Sequence, residues 1–165
     1  MIDTSASMKG KKMGELNTVM EELIPEIRRV GEADTDVKIA VLTFSTDVKW
    51  MYSAPVSIEE FEWTRLNASG VTSMGAAFSE ISSRMSRNGF LNSPSLSFAP
   101  VIFLMTDGYP SDDYKKGLKE LQSYNKTFFR NTCSSERVVI IKIKSALSLC
   151  IHHITHNIYF LSLKE

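Results

Sequence analysis

Pro100-Val101-Ile102-Phe103-Leu104-Met105-Thr106-Asp107-Gly108 is the stretch whose reading decides the fold. Pro100 to Met105 is an unbroken apolar run of one strand's length. Strands of antiparallel sheets alternate apolar and polar residues. A continuous run instead marks a central strand of a parallel sheet, covered on both faces. The run stops at Thr106-Asp107-Gly108, a turn, and a helix is expected from near Ser111-Asp112-Asp113. In open parallel sheets ligands bind at the carboxyl ends of the strands, so Asp107 stands where a site is expected.

Working outward, Val37 to Phe44 reads as a second, largely buried strand. Ser45-Thr46-Asp47 turns the chain into a third over Val48–Tyr52, which makes an antiparallel hairpin at one edge of the sheet. Ser57 to Leu66, with Phe61 and Trp63 expected to bury beside the sheet, is a short helical or looped approach. Asn67 to Gly75 is a loop of small residues, and Ala76 to Met85 a helix buried on Ala77, Phe78, Ile81 and Met85. Asn88 to Ala99 reads as a surface loop. Arg137 to Ile143 is a further strand, and Asn157 to Leu163 a candidate last one. Met13, Leu16, Met20, Leu23 and Ile27 give residues 11–30 one apolar helical face. Pro25 should kink that helix and Gly31 end it. Strands alternating with helices make an α/β fold with a mostly parallel central sheet flanked by helices.

The bulk properties limit the function. At 165 residues the length suits one domain, spanning 1–165. Lys plus Arg equals Asp plus Glu at 19 each, so no net field favours nucleic acid or an anionic membrane. Cys133 and Cys150 form neither a CxxC pair nor a disulfide framework, which points to a reducing, cytoplasmic setting. The chain shows no signal-peptide pattern and no apolar run long enough to span a bilayer.

The chemistry-bearing residues lie on three loops. Met1-Ile2-Asp3-Thr4-Ser5-Ala6-Ser7-Met8 puts a carboxylate and two hydroxyls at alternate positions, the small-residue loop carries Thr72, and the third loop carries Asp107. Two carboxylates match the charge of one divalent ion, and hydroxyls with water complete an octahedron at about 2.1 Å, which suits Mg²⁺. With few His or Cys nearby, Zn²⁺ and copper are poor fits. Taken singly, each loop is an ordinary turn or helix cap; the three together, in this order, are a ligand set.

These residues resemble the metal-ion-dependent adhesion site of the von Willebrand factor type A domain. Asp3-x-Ser5-x-Ser7, Thr72 after Gly70, and Thr106-Asp107-Gly108 carry the resemblance, which covers residues 1–130. Within that family, Asn17, Leu66 to Ala77 and Leu104 to Asp113 are similar to the bacterial tellurium-resistance TerY-like proteins. The resemblance implies a Rossmann-like fold and Mg²⁺ (or Mn²⁺) held at Asp3, Ser5, Ser7, Thr72 and Asp107. Ser5 and Ser7 would be direct ligands, Asp3 and Asp107 direct or through water, and Thr72 direct in the ligand-competent arrangement. The last coordination position would go to an Asp or Glu of a protein partner. It implies binding and no catalysis; with the balanced charge, neither nucleic acid nor membrane is expected as a ligand.

Other readings stand beside this one. The same oxygen cluster would serve a Mg²⁺-assisted phosphatase or phosphotransferase. A truncated remnant would bind no metal. His152, His153 and His156 form an H-H-x-x-H run with no glutamate between them, and they read as structural. Asp112 and Asp113 read as first-turn residues of the following helix, and Met8, Met13, Met20 and Met74 as core fillers. Two features depart from the family pattern. Met1 and Ile2 stand where a buried strand of about six residues is expected, so most of the first strand is missing. Residues 142–165 also depart from the usual turn, helix and strand. The expectation is a fragment, or a reading frame with a late start and a shifted tail.

Overall fold

A computed structural model describes residues 1–31, 37–85, 89–90, 102–128, 138–143, 149–154 and 158–163. Its main sheet is built around β1 (Ile2–Asp3) and β6 (Ile102–Thr106), which pair in parallel. The other elements are α1 (Lys11–Gly31), β2 (Lys38–Ile39), β3 (Leu42–Phe44), β4 (Val48–Trp50), β5 (Val56–Ser57), α2 (Met74–Arg84), α3 (Tyr114–Phe128), β7 (Val138–Ile143), β8 (Leu149–Ile154) and β9 (Ile158–Leu163). The sheet order is β4-β3-β1-β6-β7-β9-β8. Pairs β3–β1, β1–β6, β6–β7 and β7–β9 are parallel, while β3–β4 and β8–β9 are antiparallel. The fold is thus a mostly parallel α/β sheet flanked by helices, as expected, with antiparallel pairs at both edges where one was foreseen.

Side-chain alternation along the strands sorts the core into two layers. Met1, Leu42, Phe44, Ile102 and Leu104 pack against α2 and α3 through Met74, Ala77, Phe78, Ile81 and Leu121. Ile2, Val41 and Met105 face the other way, onto Met8, Met13, Leu16, Met20 and Ile24 of the α1 layer. Phe103 is 45% exposed, so full cover of β6 on both faces does not extend to it. All four methionines read as core fillers are buried.

The apolar face of α1 needs one correction, for Ile24 is buried and Leu23 is exposed. At 100° per residue Ile24 falls within about 20° of Met13 around the helix, and Leu23 about 80° away. The helix runs through Pro25 and ends at Gly31.

The stretch Val37–Phe44 is two strands, not one. Pro55 interrupts the partner chain between β4 and β5 and has no N–H to offer a ladder. Beyond it β5 pairs with β2 in a separate two-stranded sheet, and Ile58 N–H bonds the Val37 carbonyl at 2.9 Å. Helix α2 begins two residues earlier than expected, at Met74, and α3 slightly later, at Tyr114. Phe61 is fully buried and Trp63 partly so, in an irregular segment.

Strand β1 is short, yet its neighbours are bonded. The Met1 ammonium donates to Phe103 O at 2.8 Å, Met105 N–H to Met1 O at 2.9 Å, and Thr4 N–H to Phe44 O at 2.8 Å. Ile2 stands opposite both Thr43 and Met105. Toward the C-terminus, Ile158–Leu163 is a strand as foreseen, and Leu149–Ile154 is a strand the sequence reading did not assign. It carries His152 and His153, opposite Phe160 and Tyr159. Most of the expected 88–99 loop, together with Pro100, Val101, Cys133 and His156, lies outside the described residues. Among the described residues no helix is long and apolar enough to cross a membrane.

Candidate metal centre

The parallel strands β1, β3 and β6 all end at one edge, and the first loop starts there. After Asp3 the chain makes a 3-10 turn over Ala6–Met8. Met8 is fully buried against α1 and anchors this turn. Asp3 is also fully buried. Its Oδ1 accepts the Ser5 N–H at 2.8 Å and its Oδ2 the Thr106 hydroxyl at 2.6 Å. Asp3 therefore clamps the first loop to the end of β6, with both carboxylate oxygens already bonded.

Asp107, one residue past β6, meets the same loop. Ser7 Oγ donates to Asp107 Oδ1 at 2.7 Å, and Ser5 Oγ lies 2.9 Å from Ser7 Oγ. A carboxylate only accepts, so the single Ser7 proton goes to Asp107 and the Ser5 hydroxyl must donate to Ser7. The result is a directed chain, Ser5 to Ser7 to Asp107. It leaves both lone pairs of Ser5 Oγ and one of Ser7 Oγ for another acceptor-seeking group.

Thr72 is delivered by the 69–73 loop, which is stitched down on both sides. Ala6 N–H bonds Gly70 O at 2.9 Å, Ser69 N–H bonds Thr4 O at 2.7 Å, and Ser73 N–H bonds Ser45 O at 3.1 Å. Gly70 has φ +80°, and a Cβ there would lie 2.3 Å from Thr46 Oγ1, so backbone conformation and space both require glycine. Thr72 is buried, and a Cβ on Gly108 would lie 3.4 Å from Ser7 Oγ and 3.9 Å from Thr72 Oγ1. The hydroxyls of the first and second loops thus converge on the backbone of the third. All five sequence-predicted residues gather at this edge of the sheet.

Two further residues at the site escaped the sequence reading. Thr106 is one; as the last residue of an apolar strand it passed for part of the turn. Lys12 is the other: its ammonium bonds Asp107 Oδ2 and reaches Ser7 O at 3.3 Å. Its signal was a lysine in the first turn of a helix, where positive charge opposes the dipole. Asp112 differs from expectation. Its carboxylate accepts Gly75 N–H and Ala76 N–H, both at 2.9 Å, and so caps α2 instead of joining the first turn of α3.

Among the described residues no three or more His, Cys, Asp or Glu side chains gather into a group that could hold a metal by themselves. Any cation here would rely on hydroxyls with two carboxylates, a hard all-oxygen set that fits Mg²⁺ and not the softer transition metals. The sequence pattern that describes the von Willebrand factor type A domain matches residues 1–133. The chain belongs to that family. Type A domains commonly act as protein-interaction modules. A solved structure similar to this type A domain is an aerotolerance-related membrane protein from Bacteroides fragilis NCTC 9343, with multiple mutations to serines. The match has a TM-score of 0.50 at 11% identity and covers 98% of this chain and 78% of that one. At that identity it bears on the fold alone. No curated protein matched this type A domain.

Proposed function

We propose that this type A domain is a Mg²⁺-dependent protein-binding module, with Mn²⁺ also accepted, acting in the cytoplasm. Ser5 and Ser7 would ligate the metal through their hydroxyls, Asp107 and Thr72 would join them, and buried Asp3 would act through water. An Asp or Glu of the partner protein would take the remaining position. In this reading the site carries out no catalytic step and has no nucleic-acid or membrane ligand. The TerY-like motifs further suggest a bacterial stress or tellurium-resistance system, a step taken on family analogy.

The observation that carries the reading is the Ser5–Ser7–Asp107 chain, which lines up oxygen lone pairs from two loops around a buried carboxylate. Calorimetric titration of the whole chain with MgCl₂ or MnCl₂ tests it. Saturable binding is expected, abolished by Asp107→Ala, with no metal-dependent turnover of a phosphate ester. Absence of heat at millimolar metal, with no shift in melting temperature, would overturn the proposal. Mg²⁺-dependent ester hydrolysis lost in Asp3→Ala would replace it with the enzyme reading.

A further inference from the structure

The first turn of α1 is built against its own dipole. It opens Lys11-Lys12 and has no acidic residue in its first turn, although the N-terminal end of a helix favours negative charge. Lys11 is largely exposed and pairs with Glu15 at 3.5 Å. Lys12 instead turns toward the sheet edge and bonds Asp107 Oδ2 and Ser7 O. The Asp107 side chain is only 2% exposed, against 34% for that of Lys12. With Ser7 on Oδ1 and Lys12 on Oδ2, both oxygens of Asp107 are engaged, and among the described residues the only positive charge on them is the ammonium.

We propose that Lys12 is a built-in counter-cation which a divalent ion must displace to reach Asp107, so that this lysine sets the site's metal affinity. The inference rests on the metal-binding reading above. A divalent ion bound by Ser5, Ser7 and Asp107 would share a carboxylate with the ammonium, and the like charges would repel at short range. Lysine suits the exchange. It is a compact point charge on a flexible stem, so it can withdraw to water at little cost, where a forked arginine would hold the carboxylate at two points. The metal-free site stays ordered because Asp107 is never left as a lone buried charge.

Titration of the whole chain with MgCl₂ alone, in wild type, Lys12→Met, Lys12→Gln and Lys12→Arg, tests this. Removing one charged hydrogen bond that competes with the metal should tighten Mg²⁺ binding roughly tenfold or more in Lys12→Met. Lys12→Gln keeps a donor without the charge and should tighten binding similarly; Lys12→Arg, which keeps the charge and can grip the carboxylate at two points, should bind Mg²⁺ more weakly than wild type. Without metal, Lys12→Met should melt below wild type, and millimolar Mg²⁺ should close the gap, a rescue that lost packing would not give. Saturable binding of equal or lower affinity in both neutral variants would overturn the role of Lys12 and leave the metal site standing. No saturable binding in any of the four proteins would sink both.

Discussion

Asn17 and Leu66 pair as two strand residues would: Leu66 N–H donates to Asn17 Oδ1 at 2.8 Å, and Asn17 Nδ2 donates to Leu66 O at 3.0 Å. One buried amide thus docks the segment that leads to Thr72 onto α1. The same oxygen accepts the Trp63 indole N–H at 3.2 Å, and Nδ2 also reaches Met13 O at 2.9 Å.

Asn17→Ala leaves the Leu66 backbone and the Trp63 indole without these partners in a half-buried setting. At 1–3 kcal/mol per unsatisfied group, a loss of about 3 kcal/mol is expected. Urea denaturation measures it. The 66–73 segment should also lose amide-exchange protection before the sheet does.

The cap on α2 gives a second test. Asp112→Ala frees the N–H groups of Gly75 and Ala76, and a lost cap costs about 1–2 kcal/mol. Asp112→Asn should recover part of it, since the amide oxygen still accepts one bond. A thermal melt ordering wild type above Asn above Ala is the expected result.

Thr106→Val tests whether Asp3 is positioned or merely buried. Valine fills a similar shape but cannot donate to Asp3 Oδ2, so stability should fall by about 1–2 kcal/mol. Mg²⁺ affinity, measured calorimetrically, should fall too, because Asp3 no longer ties the first loop to β6.

The Met1 amine makes stability depend on pH in a chain whose first residue is Met1. Burial pushes this ammonium down from an ordinary value of 8.0 to about 5. Between those values the unfolded chain binds more protons than the folded one, so stability rises as pH climbs from 5 to 8 and levels off above. Three pH units correspond to on the order of 4 kcal/mol. Adding apolar residues ahead of Met1 turns the amine into a peptide N–H. That should flatten the slope seen by urea denaturation at successive pH values; an unchanged slope would assign it to other groups.

Much of the fold, and which loops meet at the sheet edge, was legible in the sequence, because both depend on local patterns. The run from Ile102 to Met105 is too apolar to be anything but a central strand, and Asp3, Ser5 and Ser7 announce themselves by alternation. What stayed hidden depends on partners distant in sequence. The split of Val37–Phe44 follows Pro55, which lies in the connection between β4 and β5 and has no N–H for a ladder. Asp112 precedes α3 in the chain but caps α2, because the two helices pack so closely that a Cβ on Gly117 would lie 2.5 Å from Gly75 O. Lys12 reads as a surface residue until the fold brings Asp107, 95 residues away, beneath it.

The place of β1 between β3 and β6 has a consequence for how the site is held. Ile2 stands opposite both Thr43 and Met105, and the loop that carries Ser5 and Ser7 begins where that pairing ends. The loop is therefore moored to the strand that Asp107 follows, and any slip of β1 along β6 would carry Ser7 away from Asp107. On the proposed reading, an ion gripping Ser5, Ser7 and Asp107 would lock that register.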